Sequence, residues 1–254
     1  MTEARYLYCI AQGNKKITFG KIGIEDKEVY TIRFKNLCAV VHNCPAEPYN
    51  SENKEKVKSW IIAHEKVVET AWARFNTVLP LSFDTIIKDD KDGNAEDNIK
   101  KWLNDEYAIL KQKLNKLRDK AEYGVKIYWD PKIIGEHLAK KEQKIKKLRE
   151  EIKSKPEGMA YMYKQKLENL IRKQMEKEAE SYAKYFYARI KNCVDETKVE
   201  RAKISEEGKH VLMSLSCLLP KENSRVLGWE LAKINNRKAF FVHFTGPWPP
   251  YSFV

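Results

Sequence analysis

Glycine is scarce in this chain, 10 of 254 residues, and none of those glycines builds a phosphate-binding GxxxxGK[ST] loop, a GxGxxG turn after a strand or a GxSxG elbow. Each of those motifs needs glycine so that backbone N–H groups can approach a ligand, or so that a nucleophile can sit on a sharp turn. Long apolar runs are also missing, and none approaches the roughly 20 residues that span a bilayer. The first twelve residues lack the cationic and apolar regions of a secretory signal, so a cytoplasmic protein is expected. The five cysteines, Cys9, Cys38, Cys44, Cys193 and Cys217, are odd in number and contain no CxxC pair. They read as reduced core residues rather than a disulfide framework. Histidine is sparse too, and His64-Glu65 fails as a zinc-protease HExxH because Val68 stands at the second histidine position. The acidic loop Asp89 to Asp97 places Lys88 and Ile99 where a calcium loop needs its first and its bidentate ligand, which excludes that site.

What is present is a globular composition, 43% hydrophobic and 33% charged, long enough for two domains that each bury a core. The net charge of +12 favours an acidic partner such as nucleic acid or a membrane surface. The 36 acidic residues interleaved with the basic ones give a solvated helix face the same arithmetic, so nucleic-acid binding rests on charge alone.

Four β-rich runs open the chain: Tyr6 to Ala11, Ile17 to Ile24, Val29 to Phe34 and Leu37 to Cys44. A helix from Ser51 follows, with Val57, Trp60, Ile61, His64, Val67, Val68, Ala71, Trp72 and Phe75 on one stripe. Val78 to Ile87 returns as an extended segment in which Pro80 implies an edge or a bulge. A second helix is expected from Asn98 to Ala121, ended by Glu122-Tyr123-Gly124, and a strand from Val125 to Trp129. Pro131 to Lys191 reads as charged helices broken at Lys153 to Gly158, where Ser154 and Glu157 have capping-box spacing around Pro156. Narrow stripes, Leu138, Ile145, Leu148 and Ile152, then Tyr163, Leu167, Leu170, Gln174 and Met175, imply long helices that project or pair. Strands at Lys198 to Ile204 and Val211 to Leu219 flank a turn at Glu206 to Gly208. A helix from Pro220 to Ile234, with Val226, Leu227, Leu231 and Ile234 inward, precedes a last strand, Phe240 to Phe244, that suits cover on both faces. The expected architecture is α+β in two domains, 1–123 and 124–254. The second has a modified ferredoxin-like βαββαβ order with helices at about 131–191 enlarging the first crossover.

Three places draw chemical interest. Cys38, His42 and Cys44 share one face of a strand and supply three soft donors, against the ordinary reading of small thiols packed as apolar groups. His64 is a core histidine by default, or a general base if a carboxylate and a cleft meet it. The ending Gly246-Pro247-Trp248-Pro249-Pro250-Tyr251-Ser252-Phe253 is a stiff backbone carrying three large aromatics, expected to pack in a groove of its own protein rather than serve as a proline-motif ligand. The RNA-binding signature of a ferredoxin-like sheet is missing from the strands Val211 to Leu219 and Phe240 to Phe244.

Several stretches together resemble the gas vesicle protein F and L family of prokaryotes. These are the YLYCI opening, the helix with Trp60, His64 and Glu69, Val78-Leu79-Pro80-Leu81 with Phe83 and Thr85, Glu122 to Lys126, Gly158 to Met162, and the terminal TGPWPPYSFV. Ser82 and Asp84 stand where the family has a basic residue and glycine, and Met162 where it has leucine. The resemblance implies a non-enzymatic protein, without cofactor or metal, that helps build gas vesicles as a minor structural component or assembly chaperone. Its implied partners are the hydrophobic major shell protein and other accessory gas vesicle proteins, with no membrane partner. Trp60, His64, Leu79, Pro80, Phe83 and the residues from Gly246 to Phe253 named above are the expected structural and domain-docking set. The alternative reading is a basic nucleic-acid-binding module with a ferredoxin-like sheet.

Overall fold

The computed structural model describes residues 3–91, 93–201 and 210–254, and it mixes helices with sheets. The chain divides into two compact units, Met1–Glu122 with Pro247–Val254, and Tyr123–Gly246.

The first unit is built on β1 (Glu3–Gln12), which pairs antiparallel with β4 (Leu37–Pro45), β5 (Val78–Pro80) and β6 (Ile86–Lys88). Beyond β4 lie β3 (Val29–Phe34) and β2 (Thr18–Gly20), giving the order β2-β3-β4-β1-β5 with β6 also on β1. The register of β1 against β4 slips between Leu7 and Cys9, leaving Tyr8 as an extra residue. Such a bulge reverses the alternation of side chains. Tyr6 and Tyr8 before it and Cys9 and Ala11 after it therefore all join one core cluster with Trp60, Val67, Val68 and Ala71.

Those last residues come from α1 (Lys54–Phe75), which begins later than the Ser51 expected. The Asn53 side chain accepts from the N–H groups of Glu55 and Lys56 and so caps the first turn. Asn76 closes the helix in the left-handed region, with φ 63°. The extended segment after it forms two short strands, with Pro80 on a strand at the end of the sheet path.

The helix expected from Asn98 to Ala121 is two helices, α2 (Ala95–Asp105) and α3 (Tyr107–Leu117). They part at Glu106, whose φ and ψ of −92° and 6° are not helical. Tyr107 is tied to the end of β3 at this break, its hydroxyl bonded to Asn36 and its ring edge-on to Phe34. Ala121 to Gly124 do not end a helix; they belong to strand β7 (Lys120–Trp129). Ala121, Tyr123, Val125, Ile127 and Trp129 are all buried, so a period of two runs straight through Gly124.

In the second unit β7 leads into α4 (Pro131–Lys141), α5 (Gln143–Lys153) and α6 (Glu157–Lys191). Then follow β8 (Glu196–Val199), β9 (His210–Pro220), α7 (Ser224–Asn235) and β10 (Phe240–Trp248), and the strands lie in the order β10-β7-β9-β8. The expected turn at Glu206 to Gly208 lies outside the described residues. The expected capping box does not form. Pro156 caps α6 with no side-chain bond, and Ser154 Oγ instead donates back to the Glu151 carbonyl at 3.0 Å. Val226 points outward, while Leu227, Leu231 and Ile234 are buried as expected.

The strand expected to be covered on both faces is an edge strand: Phe240 is buried but Phe241 and Phe244 are exposed. Edge position also explains why β10 tolerates Pro247, which has no N–H to give a ladder. Phe244 still stacks on Tyr123 of β7, centroids 5.5 Å apart. Beside that pair a Cβ on Gly124 would stand 2.6 Å from Thr245 Oγ1. Gly124→Ala is therefore expected to destabilise the protein by about 1–3 kcal/mol. Thr245→Ala on top of it removes the clashing oxygen and should recover most of the loss in urea denaturation; additive losses would reject this account.

Candidate functional site

The expected structural residues gather in the first unit around two tyrosine–histidine pairs. Tyr6 and Tyr8 project from β1 beneath α1, and His64 meets them from α1 while His42 meets them from β4. The Tyr8 hydroxyl accepts from the Ile24 N–H at 3.0 Å, which leaves its own proton for His42 Nδ1 at 2.8 Å. His42 then carries its proton on Nε2 and donates it to the Tyr49 hydroxyl at 3.0 Å. Tyr6 repeats the arrangement, accepting from the Asp84 N–H at 3.0 Å and donating to His64 Nδ1 at 2.9 Å. Asp84 joins the two pairs, its Oδ1 accepting from the Tyr49 N–H at 2.9 Å.

Both imidazoles are held neutral. Burial pushes the His42 pKa down to about 4, helped by the charge of Lys27. Burial pushes His64 down to about 4 as well, with the Leu81 backbone opposing. His64 Nε2 is buried and makes no hydrogen bond of good geometry. Burial also pushes the pKa values of Tyr6, Tyr8 and Tyr49 well above the usual phenol range, so all three stay protonated. No carboxylate is hydrogen-bonded to either imidazole in this network, so the arrangement orders a polar core rather than a proton-transfer relay.

The other expected residues surround it. Trp60 is buried, edge-on to Tyr49 at 5.2 Å, and its Nε1–H donates to Glu25 Oε1 at 3.2 Å. Leu79 and Pro80 are buried on β5, opposite Ile10 and Cys9. Phe83 stands edge-on to Tyr6 at 6.2 Å and to His64 at 6.0 Å. The ending divides: Gly246 (φ 111°), Pro247 and Trp248 are exposed, whereas Pro249, Pro250 and Phe253 are buried. Tyr251 brings its ring to 6.4 Å from His64, and Ser252 reaches Glu122, N–H and hydroxyl donating to the two carboxyl oxygens at 2.8 and 2.6 Å.

The cysteine–histidine reading of β4 is not realised. The Cys38 thiol points to the Ala11 carbonyl, and both His42 ring nitrogens are taken by tyrosines. Among the described residues no three of His, Cys, Asp and Glu are grouped to hold a metal ion. Sequence reasoning passed over Tyr6, Tyr8, Tyr49 and Asp84 as chemistry. The signal for Asp84 was its place in the motif: it has φ 68°, the conformation that glycine adopts without strain.

Fold and site together define a mixed helix-and-sheet protein with a hydrogen-bonded polar cluster in the core of its first unit. Residues 4–254 match the family model described as gas vesicle synthesis protein GvpL/GvpF. Gas vesicle protein L1 of Halobacterium salinarum is 27% identical over 100% of this chain and 91% of its own, and gas vesicle protein F of a Nostoc species is 25% identical over 100% and 99%. The crystal structure of the gas vesicle protein GvpF from an Anabaena species superposes with a TM-score of 0.79 at 23% identity over 99% of this chain and 98% of that one, a likeness of fold. The GvpF structure from Microcystis aeruginosa gives 0.68 at 20% identity, covering 98% of each. The chain belongs to the GvpL/GvpF family of gas vesicle proteins.

Two consequences are measurable. Because both histidines have folded pKa values below the ordinary 6.5, the unfolded chain binds more protons between about pH 6.5 and 4. Stability from this source is complete above that window and falls as the pH drops through it. His64→Asn, which keeps an acceptor for Tyr6, should lower the slope of unfolding free energy against pH by up to about 1.4 kcal/mol per unit in urea titrations. An unchanged slope would exclude His64 as its source. Ser252→Ala takes one donor from the buried Glu122 carboxyl and is expected to cost about 1–3 kcal/mol.

Proposed function

We propose that this protein assists gas vesicle assembly without catalysing a reaction, by binding the small hydrophobic major shell protein and other accessory gas vesicle proteins and keeping the shell protein soluble until it is incorporated. The observation that carries the reading is the match to the family over residues 4–254. Its relatives are named as gas vesicle proteins L and F. Among the described residues no helix is long and apolar enough to cross a membrane, which accords with work on the cytoplasmic side of the vesicle.

A soluble protein that handles an aggregation-prone apolar subunit needs an apolar surface edged with charge. The second unit has one. Trp129 of β7 and Ile171, Met175 and Ala179 of α6 line a groove of about 370 Å³ rimmed by Glu168, Arg172 and Glu176. Methionine suits such a surface because its unbranched, polarisable chain adapts to different partners. The buried residues of the ending, Pro249, Pro250 and Phe253, act in this reading as a structural wedge, with Trp60, His64, Leu79, Pro80 and Phe83 as the surroundings.

Co-expression with the major shell protein tests the reading. The shell protein is expected to move into the soluble fraction and co-purify with this chain, and Met175→Glu should reduce the co-purified amount about tenfold or more while leaving thermal unfolding unchanged. A shell protein that stays insoluble and unbound beside well-folded partner would overturn the assignment.

A further inference from the structure

On the opposite side of the chemistry from the neutral histidines, the first unit gathers positive charge. Helix α2 packs against β3, and between them, closed off by the segment before β2, lies a cleft of about 420 Å³. Lys16, Arg33, Lys35 and Lys100 line it. Among its lining residues Glu96 is the only carboxylate, and Lys100 already neutralises that group at 2.8 Å.

Two of the other cations, Arg33 and Lys35, are held by uncharged groups. Arg33 Nη1 donates to the Asn14 carbonyl at 3.0 Å, and Lys35 Nζ donates to the Asn104 side chain at 3.4 Å while lying 4.9 and 4.8 Å from the Phe34 and Tyr107 ring centres. These contacts aim the side chains without cancelling their charge. A further guanidinium backs the wall. Arg5 carries a side chain only 14% exposed that pairs with Glu3 at 3.6 Å; its Nε is buried without a hydrogen-bond partner, and its field reaches both Tyr30 and Glu96 of the cleft.

Beside the Lys100–Glu96 pair, Lys16, Arg33 and Lys35 converge on one concavity, and like charges so placed repel one another unless an anion joins them. The volume exceeds what a single small ion fills and lies within the roughly 300–1,000 Å³ typical of ligand sites. The lining is polar rather than apolar, so the occupant must be recognised through charge and hydrogen bonds. Arginine and lysine together match phosphate oxygens, the guanidinium through its planar fork and the ammonium as a point charge.

We propose that this cleft binds a small, multiply charged phosphate anion of the pyrophosphate or nucleoside polyphosphate class. The site is independent of the shell-protein groove and stands or falls separately from the function proposed above.

Calorimetric titration of the full chain with sodium pyrophosphate at low ionic strength tests it. One saturable site is expected, weakened about tenfold or more by Arg33→Glu and several-fold by Lys16→Ala, which lies outside the sheet and spares its pairing. Lys177→Glu, an exposed position on α6, changes net charge as much as Arg33→Glu does and is the control: affinity should stay within about twofold. Circular dichroism melting establishes that each variant is folded. Parallel titrations with orthophosphate and with a nucleoside triphosphate separate the sources. Displacement of pyrophosphate by the triphosphate supports a nucleotide occupant, whereas tight pyrophosphate binding without displacement supports the inorganic anion. Absence of pyrophosphate binding, equal weakening by Arg33→Glu and Lys177→Glu, or binding of an acidic peptide alone would each overturn the proposal.

Discussion

A phenol hydroxyl has one proton to give and can accept others, and the first unit is arranged so that two buried tyrosines each give that proton to a histidine. Tyr8 accepts from the Ile24 N–H and Tyr6 from the Asp84 N–H, so each hydroxyl fixes a loop as well as an imidazole. The short turn at Ile24–Asp26 is held against β1 in this way, with Glu25 and Asp26 in the left-handed region at φ 54° and 57°. Strain of that size persists only where surroundings over-determine it. Here Glu25 also accepts from Trp60, and a Cβ on Gly23 would lie 2.9 Å from the Tyr8 hydroxyl, so no other residue fits there without displacement. Without the bulge at Tyr8, the two tyrosines and Cys9 could not share the face that α1 covers.

That constraint explains which parts of the molecule were legible in advance. Periodicity located β3 to the residue and found the buried residues of α1, because side chains facing a single core repeat at two or at three to four residues, but it also counted Ile61, which is exposed. It overran at Ala121 to Gly124, where the apolar pattern of a helix end and of a strand start look alike over so few residues. It also missed the break at Glu106, which depends on the contact of Tyr107 with Phe34 and Asn36 some seventy residues earlier. The bond between Ser252 and Glu122 joins positions 130 apart, and nothing local to either residue announces it. Motif resemblance did what periodicity could not: it marked Asp84 as standing in a glycine's place, and a φ of 68° gives the reason.

The second unit keeps its order by different means. Between Pro131 and Lys191 stand 17 lysines and arginines and 9 acidic residues, so most of the chain's net charge lies on these helices. Their burial is correspondingly thin: Ile134 and Leu138 of α4, Ile145 and Leu148 of α5, and only Phe186 and Ile190 of the 35-residue α6. Helices held by so few apolar contacts gain little from the hydrophobic effect per residue and depend on pairing, which α4 and α5 both make with α6.

Thin burial and high charge bear on what such helices can do. A surface dense in lysine and glutamate stays hydrated and resists self-association, so the apolar side chains that α6 leaves outside, Met159, Tyr161 and Met162 at its start and Tyr185 near its end, stand apart from a charged background. Apolar residues isolated in that way carry less risk of aggregation than the same residues in a continuous patch, and they remain available for contact. In the second unit the charge therefore limits non-specific adhesion. In the first unit the polar groups are turned inward and fixed by neutral hydrogen bonds. One chain thus uses polarity for two ends, to specify a core and to keep an exposed surface from binding its own kind.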